Sequence, residues 1–249
     1  MEKIVTTHAT VATWNLQWAS PAMARGKRAQ SVLDDQHLDV LVATEATLGV
    51  LPPDGHVIDA GTDWGYSLKD PARRKVVLWS KQPWDEVDAI GDEALPGGRW
   101  VAGTTATPIG LLRVVGVCIP WKDAHVRTGR RDRMAWEDHA AYLAHLGALL
   151  RSQSRPILVA GDFNQTVPRR RQRLDVATAL TESLEGLTLW TGDPRSGGTQ
   201  EEREEVRLID HVATTPDLAV TIESLLRKRD DHGPLSDHTG VVVTVRRYK

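Results

Sequence analysis

The 249-residue chain has one cysteine, Cys118, and one phenylalanine, Phe163. A single thiol excludes an internal disulfide and any zinc site built from several thiolates, and it fits a reducing compartment. No apolar run approaches the length of a membrane-spanning helix, and the N-terminal Met1-Glu2-Lys3-Ile4-Val5 lacks an apolar signal core, so the expectation is a cytoplasmic protein. Charge of one sign is not in excess either. Lys and Arg number 31 against 33 Asp and Glu, a net of −2, which argues against a surface coated in positive charge but leaves room for a local basic patch. There is no Ser/Gly-rich linker and no solenoid period. We therefore expect a single domain over residues 1–249, with its core over roughly residues 9 to 246.

What is present is a series of short strand-like runs rich in Val, Ile and Thr. They cover Thr10–Trp14, Val40–Thr44, Lys75–Ser80, Trp100–Thr105, Leu111–Ile119, Pro156–Ala160, Arg207–Ala213, Leu218–Ser224 and Thr239–Val245. Helical spacing marks Met23–His37, Arg130–Leu150 and Arg171–Leu184. Many strands with few helices between them predict two packed, mostly antiparallel sheets flanked by helices, rather than a doubly wound fold. Most of the nine tryptophans are expected to pack in the core, with Trp18, Trp64 and Trp121 as candidates to stack on a base.

The chemistry is concentrated where apolar runs end. Ile157-Leu158-Val159-Ala160 stops at Gly161-Asp162-Phe163-Asn164, which presents a carboxylate and an amide at a strand's edge. Asn15 follows Val11–Trp14, Glu45 follows Val40–Thr44, Asp210 follows Leu208-Ile209, and Asp237-His238 precedes Thr239–Val245. Taken singly, each has an ordinary explanation: a turn cap, an exposed strand end, a carboxylate paired with a nearby arginine, a core histidine. Taken together they form an oxygen-rich set suited to a hard divalent cation, with one imidazole to carry a proton or offset negative charge. His211, next to Asp210 on a strand, should leave on the opposite face and is read as structural. Val11–Gln17 also echoes Val159–Gln165, through either two related halves facing one cleft or chance.

Thr13-Trp14-Asn15, Thr44-Glu45, Gly161-Asp162-Phe163-Asn164, Leu208-Ile209-Asp210-His211 and Ser236-Asp237-His238 resemble, in order, the motifs of the endonuclease/exonuclease/phosphatase superfamily. Lys75–Ser80 is similar to its central strand, and the resemblance spans about Val11 to Val245. It implies a deoxyribonuclease-I-like, four-layered α/β sandwich and Mg2+- or Mn2+-dependent cleavage of phosphate esters. On matching positions it makes Glu45 a metal ligand with Asn15 and Asp237 close by. Asp162 would orient or deprotonate water, and Asn164 would hold a phosphate oxygen or the nucleophile. His238 would stabilise the pentacovalent phosphate, with Asp210 fixing its ring.

Two positions depart from the pattern. Where the family places a tyrosine or histidine against the scissile phosphate, this chain has Cys118, which leaves Trp121, Lys122 or His125 as candidate substitutes. Gln17 stands where some nucleases of the family carry an acid. Arginines at 127, 130, 131 and 133 and at 169, 170, 171 and 173 could cradle a nucleic-acid backbone or simply solvate helix starts, with Arg170 and Arg171 taken as the candidate substrate contacts. The expectation is a phosphodiesterase of nuclease type. The alternatives are a phosphatase or phosphodiesterase acting on a small molecule or lipid headgroup, and an inactive binding protein on the same fold.

Overall fold

A computed structural model describes residues 7–192 and 208–248. In chain order the elements are β1 (Ala9–Asn15), α1 (Ala24–Asp34), β2 (Val40–Thr47), β3 (His56–Asp59), β4 (Arg73–Ser80), β5 (Trp84–Asp88), β6 (Trp100–Thr107), β7 (Gly110–Cys118), α2 (Glu137–Ser152), β8 (Ile157–Asp162), α3 (Leu174–Ser183), β9 (Thr188–Leu189), β10 (Asp210–Thr214), β11 (Leu218–Leu226), β12 (Arg229–Asp230), β13 (Gly233–Pro234) and β14 (Gly240–Arg247). One six-stranded sheet has the order β11-β14-β1-β2-β4-β3 and the other β5-β6-β7-β8-β10-β9, while β12 and β13 form a small ribbon. Among the described residues of the two large sheets, only β1/β2 and β7/β8 are parallel.

Alternation along the strands sorts the side chains into layers. Val11, Val42, Val76 and Leu78 of the first sheet meet Val114, Leu158, Ala160 and Val212 of the second between the sheets. The opposite row of the first sheet, including Ala12, Trp14 and Val77, packs with Ala29 and Leu33 of α1. The opposite row of the second, including Val115, Val117 and Val159, packs with Tyr142 and Leu146 of α2 and Val176 and Leu180 of α3. The result is the expected four-layered α/β sandwich. Each fully buried aliphatic side chain stabilises it by about 1.5–3 kcal/mol.

The helices are shorter than their periodicity predicts. The segment expected to be helical from Arg130 begins only at Glu137, because Arg131 and Trp136 have left-handed backbones (φ 61° and 72°) that no helix accommodates. α1 stops before His37, also left-handed at φ 50°. β2 runs past Thr44 to Thr47, so Glu45 lies within a strand and not at its end. The edge strands β3, β5 and β9 escape sequence reading because they are short or, in β5, carry three acids. The run from Glu201 to Glu205 lies outside the described residues, as does Arg207. Among the described residues no helix is long and apolar enough to cross a membrane.

Candidate active site

Three of the rows that fill the space between the sheets end in polar residues at one edge. Val11 and Thr13 lead to Asn15; Leu158 and Ala160 lead to Asp162; Val212 leads back to Asp210. The side chains of Asn15, Asp162 and Asp210 are therefore carried inward by the same period that builds the core, and all three are buried. Asp210 and Asp162 sit opposite each other in the β10/β8 register. Asn15 Nδ2 donates to Asp162 Oδ2 at 3.1 Å, so the two echoing strand ends meet.

Gly161 makes this close approach possible. Its φ is 137°, and a Cβ there would stand 2.0 Å from the carbonyl oxygen of Val117 on β7. Gly161→Ala is expected to cost about 3 kcal/mol or more, read from the midpoint of urea unfolding. A loss below about 1 kcal/mol would show that β7 and β8 can separate freely.

Asp162 is held by three donors. Asn164 gives its backbone N–H to Oδ1 at 2.9 Å and its Nδ2 to Oδ2 at 2.9 Å, in addition to the Asn15 contact. A carboxylate has about four lone-pair sites, which leaves one for a water. Asn164 returns to the Asp162 side through a left-handed backbone (φ 53°), not by strand alternation, and its Nδ2 also reaches the Ile119 carbonyl at 2.8 Å.

His238 Nδ1 is 2.5 Å from Asp210 Oδ2, which leaves Nε2 free to face the site, with Asp237 Oδ1 3.9 Å from it. Ser236 ties this loop to β1: its Oγ donates to the Asn15 carbonyl at 2.6 Å and accepts the His238 N–H at 3.1 Å. Trp14 Nε1 donates to the His238 carbonyl at 3.1 Å.

Electrostatics follow from burial. Burial raises the Asp162 carboxyl to about 7, with His238 opposing and Asp210 and Glu45 adding to the rise. Burial also raises Asp210 against the pull of its His238 bond. Burial would lower His238, but the Asp210 hydrogen bond and the surrounding carboxylates lift it to about 9. Two neighbouring buried carboxyl groups and one imidazolium thus share the site.

Glu45, left-handed at φ 45°, accepts a hydrogen bond from Lys75 Nζ at 2.6 Å. Asp237 is largely exposed. Cys118 is buried between the sheets, in register with Asp162, and burial pushes its thiol up to about 12. His125 is buried too, its Nδ1 2.5 Å from Asp138 Oδ2 and its ring stacked on Tyr66. Trp121 is exposed. Lys122, Arg170 and Arg171 line, with Asn164, Gln165 and Trp136, a cavity of about 400 Å3 beside the site. His211 is turned away from Asp210, between Thr191 Oγ1 and the Gln165 carbonyl, and burial lowers it to about 4. Trp18 and Trp64 stack on each other, with ring centroids 5.6 Å apart.

Ser236 and Lys75 lie in motifs the sequence displays, but neither carries a role that its sequence position announces. A lysine at the entry to an apolar strand run was the available signal for Lys75, since buried lysines need partners.

A hard divalent cation suits this donor set. Asp162, Asp210 and His238 offer ligand atoms within 4.8 Å of one another, and the carboxylate oxygens among them carry negative charge that a cation would relieve.

The model of the Endonuclease/Exonuclease/phosphatase family matches residues 12–238. The chain belongs to that family. No curated protein matches the sequence. Among solved structures, the chain is similar to a 3'-5' exonuclease (NExo) from Neisseria meningitidis, at 20% identity and TM-score 0.65 over 94% of this chain and 98% of that one. It is similar to an AP endonuclease from Archaeoglobus fulgidus, at 17% and 0.63 over 94% and 98%. It is also similar to sphingomyelinase C from Streptomyces griseocarneus, at 16% and 0.57 over 96% and 99%. At such identities these neighbours establish the shared α/β sandwich. As a member of the family, the chain is placed among hydrolases of phosphate esters.

Proposed function

We propose that the protein is a divalent-metal-dependent phosphodiesterase of nuclease type. The observation that carries this reading is the junction of Asp162, held by Asn15 and Asn164, with the Asp210–His238 pair. Asp162 accepts the proton of a water on its remaining lone pair as the oxygen attacks phosphorus. His238, charged and held by Asp210, donates its Nε2 hydrogen bond to a non-bridging oxygen as negative charge builds there. Asn164 steadies a phosphate oxygen or the water. A Mg2+ or Mn2+ ion held by Glu45, with Asn15 and Asp237 nearby, would supply the remaining positive charge.

A diester of nucleic acid is favoured over a small monoester by the cavity beside Asn164. Arg170 and Arg171 are exposed there and have no ion pair among the described residues, and Lys122 meets only Asp123, at 3.7 Å. Such cations suit phosphates flanking the scissile one.

With Mg2+, the protein is expected to cleave bis-p-nitrophenyl phosphate and either single-stranded or abasic-site DNA faster than phosphomonoesters. Reversing both charges, Arg170→Glu with Arg171→Glu, should raise KM for DNA about tenfold or more and leave the small diester within about twofold. Equal loss on both substrates would remove the backbone-binding role. Inertness on every ester with Mg2+ or Mn2+ would favour a binding protein.

A further inference from the structure

The carboxylate read as the metal ligand already has a cation on it. Lys75 Nζ lies 2.6 Å from Glu45 Oε1, and both side chains are mostly buried, at 11% and 23% exposure. The pair is braced rather than loose. Glu45 lies across from Lys75 in the β2/β4 register, between the Thr44–Val76 and Ala46–Arg74 pairs, and Lys75 Nζ sits 5.1 Å from the centre of the Trp18 ring. Trp18 is stacked on Trp64 and carries the Arg73 guanidinium on its ring at the same distance of 5.1 Å. Arg25 fixes the loop behind Trp18 by donating to the Gln17 carbonyl at 2.6 Å and the Leu235 carbonyl at 3.0 Å.

Three physical points bear on this pair. An ammonium this close to one carboxylate oxygen occupies the place of a hard cation and repels a second cation brought to the same group. An ammonium has three donors, and among the described residues Lys75 uses one, on Glu45. Finally, Cys118, the position with no good hydrogen-bond donor for phosphate, is buried in register with Asp162, so a donor there has to come from a neighbour.

We propose that Lys75 and the divalent ion compete for Glu45, and that the displaced ammonium becomes a contact for the substrate's phosphate oxygens on the Cys118 side. This rests on the reading of Glu45 as a metal ligand. Lys75 then has two states: a counter-ion that keeps Glu45 satisfied without metal, and a phosphate donor once the ion has taken the carboxylate. The exchange makes metal affinity weaker than the bare site would give and phosphate affinity stronger.

The two effects have opposite signs, which separates this role from simple structural support. Mn2+ binding to the full-length protein can be followed by loss of the free-ion electron paramagnetic resonance signal. Inorganic phosphate can be titrated calorimetrically into the Mn2+-loaded protein. Lys75→Met is expected to bind Mn2+ about tenfold tighter than wild type and phosphate about tenfold more weakly. Lys75→Arg, which keeps the charge, should stay near wild type in both. Lys75→Gln is measured alongside, with thermal melts, in case the methionine variant misfolds.

The proposal is overturned if the folded, uncharged variants bind Mn2+ no tighter than wild type, or if they bind phosphate equally well. Suppose wild type binds Mn2+, Glu45→Gln does not, and Lys75→Met matches wild type: only the role of Lys75 falls. If Glu45→Gln binds Mn2+ as well as wild type, or if none of the proteins binds it, the assignment of Glu45 to the metal falls, and the exchange with it.

Discussion

His238→Ala is expected to lower kcat for a model diester about a thousandfold, or about 4 kcal/mol of transition-state stabilisation, with little change in KM. The imidazole is poised in advance. Its Nδ1 is committed to Asp210 at 2.5 Å, its backbone is tied to Ser236 and Trp14, and only Nε2 is left for the reacting phosphate. A preorganised donor of this kind contributes most where water is excluded, and Asp210 is fully buried. Asp210→Asn should approach the same loss, because an amide can hold the ring in the wrong tautomer and cannot balance its charge. The double variant should be scarcely worse than either single one, since the two residues act as a unit. A fall of less than tenfold for His238→Ala would remove it from the reaction.

The same pair gives a pH signature. Because the folded His238 is raised to about 9 from 6.5, it stays charged across neutral pH, and activity should fall as pH rises through about 9. The linked stability has the same direction. A raised histidine binds its proton more tightly when folded, so its contribution is full below about 6.5 and is lost as pH climbs through about 9. His238→Ala should flatten both curves in that window.

The legible part of the sequence is the part that obeys period two. Asn15, Asp162 and Asp210 each continue a row of core residues, so the alternation that predicts the strands also predicts which polar ends turn inward. His211 could be set aside by the same rule. The illegible part depends on backbone turns and distant partners. Glu45 lies in the row opposite to Val42 and Thr44, with a left-handed φ that no pattern announces, and Lys75 becomes meaningful only once paired with it. His125, a candidate on sequence for the phosphate contact missing at Cys118, is buried because Asp138, Tyr66, Gly65 and Gly129 enclose it. The left-handed Arg131 and Trp136 interrupt what looked like one long helix, and this places Arg130 and Arg133 in the loop around Asp138 instead of on a helical face.

Asp162→Asn should separate stability from activity. The amide keeps the shape of the carboxylate but cannot accept a proton from water, so kcat is expected to fall by about a thousandfold or more. Stability should move the other way. Burial raises the folded Asp162 to about 7 from 3.8, so the charged carboxylate is disfavoured in the native state. The native protein therefore binds this proton more tightly than the unfolded chain, and stability falls as pH rises between about 4 and 7. At pH 8 the cost is fully present, and the neutral amide removes it. The variant should then be more stable than wild type by about 2–4 kcal/mol in metal-free denaturant unfolding, with a gap that closes toward pH 4. Adding Mg2+ should narrow the gap from the other side, because an ion that binds the native site stabilises the wild type and offsets its buried charge. A variant less stable than wild type at pH 8 would mean that the donors from Asn15 and Asn164 outweigh desolvation. Asp162 would then be an ordinary ionised carboxylate, with no raised proton affinity to assist the attacking water.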